Sequence, residues 1–194
     1  MSTAPIESSG WLKQAEWEWV QGRVPIPCVD FVPIRTGKEG PLVGLIRRDT
    51  PHQGIRWCLI GGRVLHNEPL RAASRRHLVE TLGDSIRIVL PRPFEPLLTT
   101  EYFSVRRKNE LYDPRQHALA LVFLVNVGGA IQARGEAHEF RWFRVSSLPA
   151  PRAFGFGQQR VLQSALERLE LAPKAPSNRG VKLAGITRGS SGKV

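Results

Sequence analysis

After a short N-terminal helix, hydrophobic and polar positions divide the chain into strands, one helix, further strands and a closing helix. Apolar runs and alternating segments predict extended structure at residues 28–34, 42–46, 56–60, 94–105, 117–127 and 139–145. Apolar positions about one turn apart predict helices at residues 10–21, 69–82 and 154–171. Because helices and strands do not alternate, this order favours a mixed α/β sandwich over a doubly wound parallel sheet.

The length of 194 residues and a hydrophobic content of 41% suit one domain with extensions. We expect a disordered N-terminus at residues 1–10, a folded domain at residues 11–172 and a basic disordered tail at residues 173–194. The tail has five Lys or Arg, no acidic residue and many Gly, Ser and Pro. Such a composition cannot bury enough apolar surface to fold by itself.

The chain carries a formal charge of +11. This charge favours anionic partners, which include phosphorylated metabolites, nucleic acid and acidic surfaces. An equally good interpretation is solubility combined with a basic tail. No motif that reads RNA or DNA accompanies the charge, so only weak nucleic-acid contact through the tail is expected.

Cysteine usage and hydropathy favour a cytoplasmic protein that does not enter a membrane. Cys28 and Cys58 both lie in apolar runs and form neither a zinc signature nor a disulfide framework. Residues 1–10 lack the features of a signal peptide. The longest apolar run, at residues 118–125, is too short to span a bilayer.

The stretch from Gly61 to Gly83, GGRVLHNEPLRAASRRHLVETLG, is the strongest chemical signal. A glycine pair follows an apolar strand, and a loop leads to a helix that carries Glu80. This order places a carboxylate beside an exposed backbone carbonyl, as a divalent cation with phosphate ligands requires. Glu80 and the carbonyl of Gly62, or of Gly61, are candidate ligands, and Glu136 or Glu139 could supply a third. The alternative for Glu80 is a surface ion pair with Arg76.

This stretch resembles the Nudix box, G-x5-E-x7-R-E-U-x-E-E-x-G-U. The positions that match at the correct spacing are Gly62, Glu68, Arg76, Leu78, Glu80 and Gly83. The positions that differ are His77 and Thr81, which replace glutamates, and Asp84, which replaces an apolar residue. The resemblance implies a Nudix-type α/β/α sandwich with a mixed sheet, one central helix and a closing C-terminal helix. It also implies that Glu68 and Arg76 hold the loop to the helix.

Segments outside the box resemble a particular branch of the superfamily. Residues 48–54, 61–64 and 139–142 look like the GDP-mannose mannosyl hydrolases. Residues 9–12 and 113–118 resemble a group of uncharacterised, mostly actinobacterial Nudix-like proteins. Together these similarities cover residues 10–171.

The resemblance implies a Mg²⁺ or Mn²⁺ ion held by Gly62, Glu80 and Glu136. In the mannosyl hydrolases the helix carboxylate falls on Thr81, one position after Glu80. The catalytic histidine of that branch falls on Ala137, and this chain has His138 one residue later. His138 is therefore a candidate base beside Glu80, or a histidine of a surface loop.

Four residues are candidates for substrate binding. Asp30 and Arg63 match positions that contact the substrate in the mannosyl hydrolase branch. Asp30 lies in an apolar strand, where an unpaired carboxylate is costly to bury, so Arg47, Arg48 or Arg63 is expected to pair with it unless it binds substrate. His117 matches a further histidine of the branch, and its alternative is a hydrogen-bonded residue at the rim of the sheet.

These observations predict a divalent-metal-dependent hydrolase of a nucleoside diphosphate linked to another group, such as the nucleotide sugar GDP-mannose. The alternative is a catalytically silent Nudix-fold module that binds nucleotides or associates with nucleic acid, because the box has lost glutamates. The expected partners are a small nucleotide substrate and a second copy of the chain in a homodimer.

Overall fold

The computed structural model describes residues 11–171, in which one mixed sheet and three helices form an α/β fold. The strands are β1 (Ile26–Gly37), β2 (Gly40–Thr50), β3 (Gly54–Cys58), β4 (Ile60–Arg63), β5 (Ile86–Val89), β6 (Leu98–Phe103), β7 (Leu111–Tyr112), β8 (Ala118–Gly129) and β9 (Glu139–Arg144). The helices are α1 (Gln14–Gln21), α2 (Leu70–Leu82) and α3 (Gln158–Arg168). The predicted mixed architecture is confirmed, and the segments expected to be disordered lie outside the described residues.

The centre of the sheet is a parallel pair, β1 and β8, with Ile26 opposite Ala118 and Ile34 opposite Asn126. The path of the sheet runs β3-β2-β1-β8-β6-β7, while β4 pairs with β1, β5 with β8 and β9 with β2. β1 therefore has two antiparallel partners besides β8. Its C-terminal part pairs with β2, and its N-terminal part pairs with β4.

The single strand predicted at residues 56–60 is wrong, because the chain changes its neighbour at Leu59. Ile46 of β2 pairs with Cys58, whereas Phe31 of β1 pairs with Ile60. Between them, the Leu59 N–H donates to the Gln158 side chain at 2.9 Å. This break directs the following glycines along β1.

The helix of the box is confirmed at residues 70–82, and Gly83 ends it with a φ of 95°. Pro69 precedes the first helical residue instead of occupying it. The buried residues of α2 are Ala73, Ser74, Leu78, Thr81 and Leu82. The helix packs these residues against a core that contains the stacked rings of Phe31 and Phe123.

The N-terminal helix α1 lies at the surface of the domain and begins four residues later than predicted. None of its residues is fully buried, and Trp19 is 59% exposed. Trp17 packs against the core.

Within residues 11–171, no helix has the length and apolar character needed to cross a bilayer.

Candidate functional site

A cavity of about 920 Å³ lies where β1, β4 and α2 meet. Its wall also includes α1, the segments that precede β8 and β9, and the start of α3. The charged side chains that line it are four carboxylates and five guanidinium groups: Asp30, Glu80, Asp113, Glu136, Arg48, Arg63, Arg76, Arg115 and Arg134. A pocket of this size with convergent charged groups is the expected form of a binding site.

The loop of the box is tied to α2 by one arginine. Arg76 donates to both carboxylate oxygens of Glu68 at 2.7 Å, and the two side chains are only 17% and 13% exposed. Arg76 also donates to the Arg63 carbonyl at 3.1 Å, and Glu68 accepts from the Leu65 N–H at 3.0 Å. These bonds fix the backbone of β4 and of the loop relative to the helix.

The imidazole of His77 lies against the α-carbon of Gly62. A methyl group added at Gly62 would lie 2.6 Å from His77 Cε1. His77 Nε2 donates to the Arg63 carbonyl at 3.0 Å, which leaves Nδ1 4.0 Å from Glu80. Burial lowers the pKa of His77, so the ring is neutral at pH 7.

Glu80 lines the cavity from the edge of α2, and its side chain is 53% exposed. Arg76 approaches it at 3.4 Å, which is the ion pair offered as the alternative role. A pair this exposed contributes little to stability. Thr81 also lines the cavity and is buried, but its hydroxyl carries no charge.

Glu136 is occupied by an arginine of the neighbouring strand β2. Arg48 Nη1 lies 2.6 Å from Glu136 Oε2, and the two side chains are 14% and 42% exposed. Both residues line the cavity. The carboxylate predicted as the third metal ligand therefore already has a cationic partner.

Asp30 forms a buried polar network at the cavity wall. Tyr102 Oη donates to Asp30 Oδ2 at 3.1 Å, and Gln158 Nε2 donates to the same Tyr102 oxygen at 3.3 Å. Burial raises the pKa of Asp30 to about 6, while the Tyr102 hydrogen bond and the charge of Arg48 act in the opposite direction. A carboxylic acid that titrates near pH 6 inside a cavity is a functional-site candidate.

The raised pKa of Asp30 predicts a pH effect on stability. Between its ordinary value of 3.8 and about 6, the folded state binds more protons than the unfolded state, so stability falls as pH rises. Asp30→Asn should remove this fall and stabilise the protein at pH 7.5 by about 1–3 kcal/mol. Urea unfolding at several pH values measures it, with the exposed Asp49→Asn as control. An unchanged pH slope in Asp30→Asn would contradict the assignment.

Arg63 is the arginine of the cavity that contacts two indoles. Its guanidinium carbon is 3.8 Å from the centroid of the Trp17 ring and 4.5 Å from that of Trp11. It forms no salt bridge with any of the described residues, 11–171. Burial and then the neighbouring charge of Arg76 lower the pKa of Arg63, so an anion beside it would be stabilised.

Two predicted histidines lie outside the cavity lining. His138 Nε2 is 2.7 Å from Asp49 Oδ2, and both side chains are exposed. His117 Nε2 is 2.7 Å from Glu101, and its ring stacks on Phe103 at 5.0 Å. The structure brings together Asp30, Arg48, Gly62, Arg63, Arg76, Glu80 and Glu136 around the cavity.

Comparison with known proteins identifies the family. Residues 7–170 match the model of a family described as "Domain of unknown function (DUF4916)". The chain belongs to this family. None of the curated proteins matches the sequence.

Solved structures show that this DUF4916 chain has the fold of the Nudix superfamily. A Jonesia denitrificans protein, described as a possible asymmetric diadenosine tetraphosphate hydrolase, is 30% identical, with a TM-score of 0.72 over 79% of this chain and 99% of its own. The Nudix domain of Shewanella oneidensis NrtR, complexed with ADP-ribose, is 19% identical, with a TM-score of 0.57 over 81% and 99%. A bifunctional NMN adenylyltransferase/ADP-ribose pyrophosphatase from Francisella tularensis, complexed with AMP and a manganese ion, is 16% identical, with a TM-score of 0.53 over 78% and 44%.

The donor set of the DUF4916 chain does not fit a resident divalent cation. Within residues 11–171, no three His, Cys, Asp or Glu side chains are grouped so that they could hold a metal ion. Magnesium binds through oxygen ligands. The two carboxylates predicted to hold it are both approached by arginines, Glu80 by Arg76 and Glu136 by Arg48.

Sequence reasoning missed three groups of the site in this DUF4916 chain. Tyr102 and Gln158 lie in unremarkable segments, and nothing in the local pattern indicates that they meet Asp30. Asp113 and Arg115, which form a bidentate pair at 2.8–2.9 Å, do carry a signal. They belong to the segment at residues 113–118 that resembles uncharacterised Nudix-like proteins, and that resemblance assigns a role to neither residue.

Proposed function

We propose that this chain binds a nucleoside diphosphate linked to a second group in the cavity between β1, β4 and α2. The observation that carries this proposal is Arg63, a guanidinium at the cavity wall with no carboxylate partner among residues 11–171. Arginine is the side chain best suited to phosphate, because its planar donors form charge-assisted pairs with phosphate oxygens.

Aromatic rings beside Arg63 suit the nucleoside part of such a ligand. Trp11 and Trp17 both line the cavity, and both rings contact the guanidinium. Indole faces stack on bases of any identity, so this wall supports nucleotide binding without selecting one base. The ADP-ribose complex of a protein with the same fold supports the same ligand class.

A second part of the cavity wall suits an uncharged group rich in hydroxyls. Asp30, Tyr102 and Gln158 present hydrogen-bonding atoms there, and they are buried. The hydroxyls of a sugar joined to the diphosphate can join this hydrogen-bonded network, because they both donate and accept hydrogen bonds. A nucleotide sugar, with GDP-mannose as one example, is therefore the specific ligand proposed.

Hydrolysis of this ligand is the second candidate function, and Asp30 is the observation that favours it. A base with a pKa near 6 is ionised at neutral pH and can accept a proton from water. The similarity to a possible diadenosine tetraphosphate hydrolase supports the same reaction class. In this proposal Asp30 activates the water, and Arg63 stabilises the charge on the departing phosphate.

The test is a binding and product screen with wild type and Arg63→Ala. GDP-mannose, UDP-glucose, ADP-ribose and diadenosine tetraphosphate are titrated by calorimetry, with Mg²⁺, with Mn²⁺ and with EDTA. Chromatography of the same mixtures detects any product. Loss of a charged hydrogen bond of about 1.5–3 kcal/mol predicts that Arg63→Ala weakens binding by about 10- to 100-fold.

The control is Arg75→Ala, which removes an exposed arginine of α2 that does not line the cavity. It should bind as tightly as wild type. If no member of the panel binds under any condition, the proposed function is wrong. Binding without product would leave the ligand assignment standing and exclude hydrolysis.

A further inference from the structure

Three features of the cavity occupy the places where a Nudix-type cation would find its ligands. The His77 ring, which replaces a glutamate of the box, lies against the α-carbon of Gly62. Thr81 stands where the mannosyl hydrolase branch has its helix carboxylate, and it is buried. Arg48 holds Glu136 at 2.6 Å. The three changes lie on different elements, yet all act on the same cavity.

The Arg48–Glu136 pair is the most informative of the three. Arg48 is more deeply buried than its partner, with 14% of its side chain exposed against 42% for Glu136. Its positive charge acts on two buried groups of the cavity wall, since it opposes the rise in the pKa of both Asp30 and Cys58. A cation bound at Glu136 would have to displace this guanidinium or remain beside a like charge that water screens poorly.

The five arginines of the cavity fall into two groups: those held by a carboxylate and those that can bind an anionic ligand. Arg76 is held by Glu68, Arg115 by Asp113 and Arg134 by Asp84. Arg63 forms no salt bridge with residues 11–171, and Arg48 is paired with a carboxylate that is itself nearly half exposed. A phosphate could replace Glu136 on Arg48, since phosphate and carboxylate both offer anionic oxygens that accept hydrogen bonds from a guanidinium.

We propose that the cavity binds the diphosphate of its ligand without a divalent cation, with Arg48 supplying the positive charge that the cation supplies in metal-dependent sites. Arg63 binds the same diphosphate from the side of the indoles. Glu136 holds Arg48 in place until the ligand arrives. The ligand then takes the place of Glu136 on Arg48, and the Glu136 carboxylate turns to solvent. This inference rests on the proposed function, because it specifies how the diphosphate of that ligand is bound.

The first test compares binding with and without metal. Wild-type protein is titrated by calorimetry with ADP-ribose and with inorganic pyrophosphate, in EDTA and in Mg²⁺. The dissociation constant for ADP-ribose should differ by less than about threefold between the two conditions, and pyrophosphate should bind in EDTA. A loss of about tenfold or more in EDTA would overturn the inference while leaving the proposed function intact. Binding of pyrophosphate in EDTA without binding of any nucleotide would support metal-free binding of the diphosphate and contradict the proposed function.

The second test uses a matched pair of arginines on β2. Arg48→Ala should weaken binding in EDTA by about tenfold or more, and added Mg²⁺ should recover part of the loss because Glu136 is then free. Arg47→Ala removes a half-exposed side chain outside the cavity lining and should bind like wild type. Equal affinities for Arg48→Ala and wild type in EDTA would refute the role of Arg48.

A third measurement does not depend on the folding of any variant. Electron paramagnetic resonance follows the free Mn²⁺ signal while wild-type protein is added in the absence of nucleotide. The signal should not decrease, because Arg48 and His77 leave no cation site. Stoichiometric uptake of Mn²⁺ by the wild-type protein would overturn the inference.

Discussion

The Gly61→Ala variant is expected to lose about 3 kcal/mol of unfolding free energy, a large effect for one methyl group. The added carbon would overlap the Val29 carbonyl oxygen and the Asp30 carboxylate, and it would lie 2.9 Å from Asp30 Cα. Two of these obstacles are backbone atoms of β1, which pairs directly with β4 at this register. The strands would have to separate where they bring the glycines to the cavity.

The neighbouring Gly62→Ala variant is the matched control. Its added carbon would meet the His77 ring at 2.6 Å, and that ring is the end of a side chain. The imidazole can rotate away, so the expected loss is smaller, about 1 kcal/mol. Denaturant unfolding of both variants measures the difference. Equal losses for the two glycines would show that β1 and β4 do not approach as closely as described.

The Arg76→Ala variant should lose about 2–4 kcal/mol, because it leaves the Glu68 carboxylate largely buried without its cation. The same change also removes the donor to the Arg63 carbonyl. Arg75→Ala, an exposed neighbour on α2, should change stability by less than about 0.5 kcal/mol. Identical melting temperatures for the two variants would mean that the loop of the box is not held by this pair.

Acid should remove the difference between wild type and Arg76→Ala. The hydrogen bond from Arg76 lowers the pKa of Glu68 below its ordinary value of 4.5. The ion pair therefore stabilises the fold fully above about pH 4.5 and loses that contribution as pH falls through the lowered pKa. Urea unfolding of both proteins from pH 7 to pH 3 should show their stabilities converging. Parallel curves across that range would contradict the assignment.

Residues that begin and end helices explain why the box helix could be predicted from the sequence. Pro69 and Gly83 bracket it, and the observed helix differs from the prediction by one residue. Both signals act within a single turn of backbone, so no distant residue is needed to interpret them. The strand segments rich in Val, Ile and Phe can be predicted for a similar reason, although β1 and β2 extend further than predicted.

The break at Leu59 shows where sequence reasoning fails. Residues 57–60 form one apolar run, which predicts an unbroken strand. The partner that satisfies the Leu59 N–H is Gln158, 99 residues later in the chain. No local pattern reports such a bond. The two-residue strand β7 cannot be predicted for a related reason. It is too short to show a pattern of its own and is defined only by its pairing with β6.

The position of the site is easier to predict than its chemistry. The cavity gathers the glycines, Glu80, Glu136, Asp30 and Arg63, as the spacing of the box and the resemblance suggest. The Arg48–Glu136 pair could not be foreseen, since it joins β2 to a loop far away in the sequence. His138 follows the edge of β2, where its N–H donates to the Arg47 carbonyl at 2.8 Å, and its ring lies beside Asp49.

The parallel pairing of β1 with β8 determines when the sheet can finish folding during synthesis. β1 leaves the ribosome early, but its long partner strand follows only after the box helix, β5, β6 and β7 have been made. Pairings between distant segments form slowly, because a large loop must close before any contact compensates its entropy. The box is therefore translated well before the strand that completes the centre of its sheet, and a nascent chain of that length exposes an apolar edge of β1.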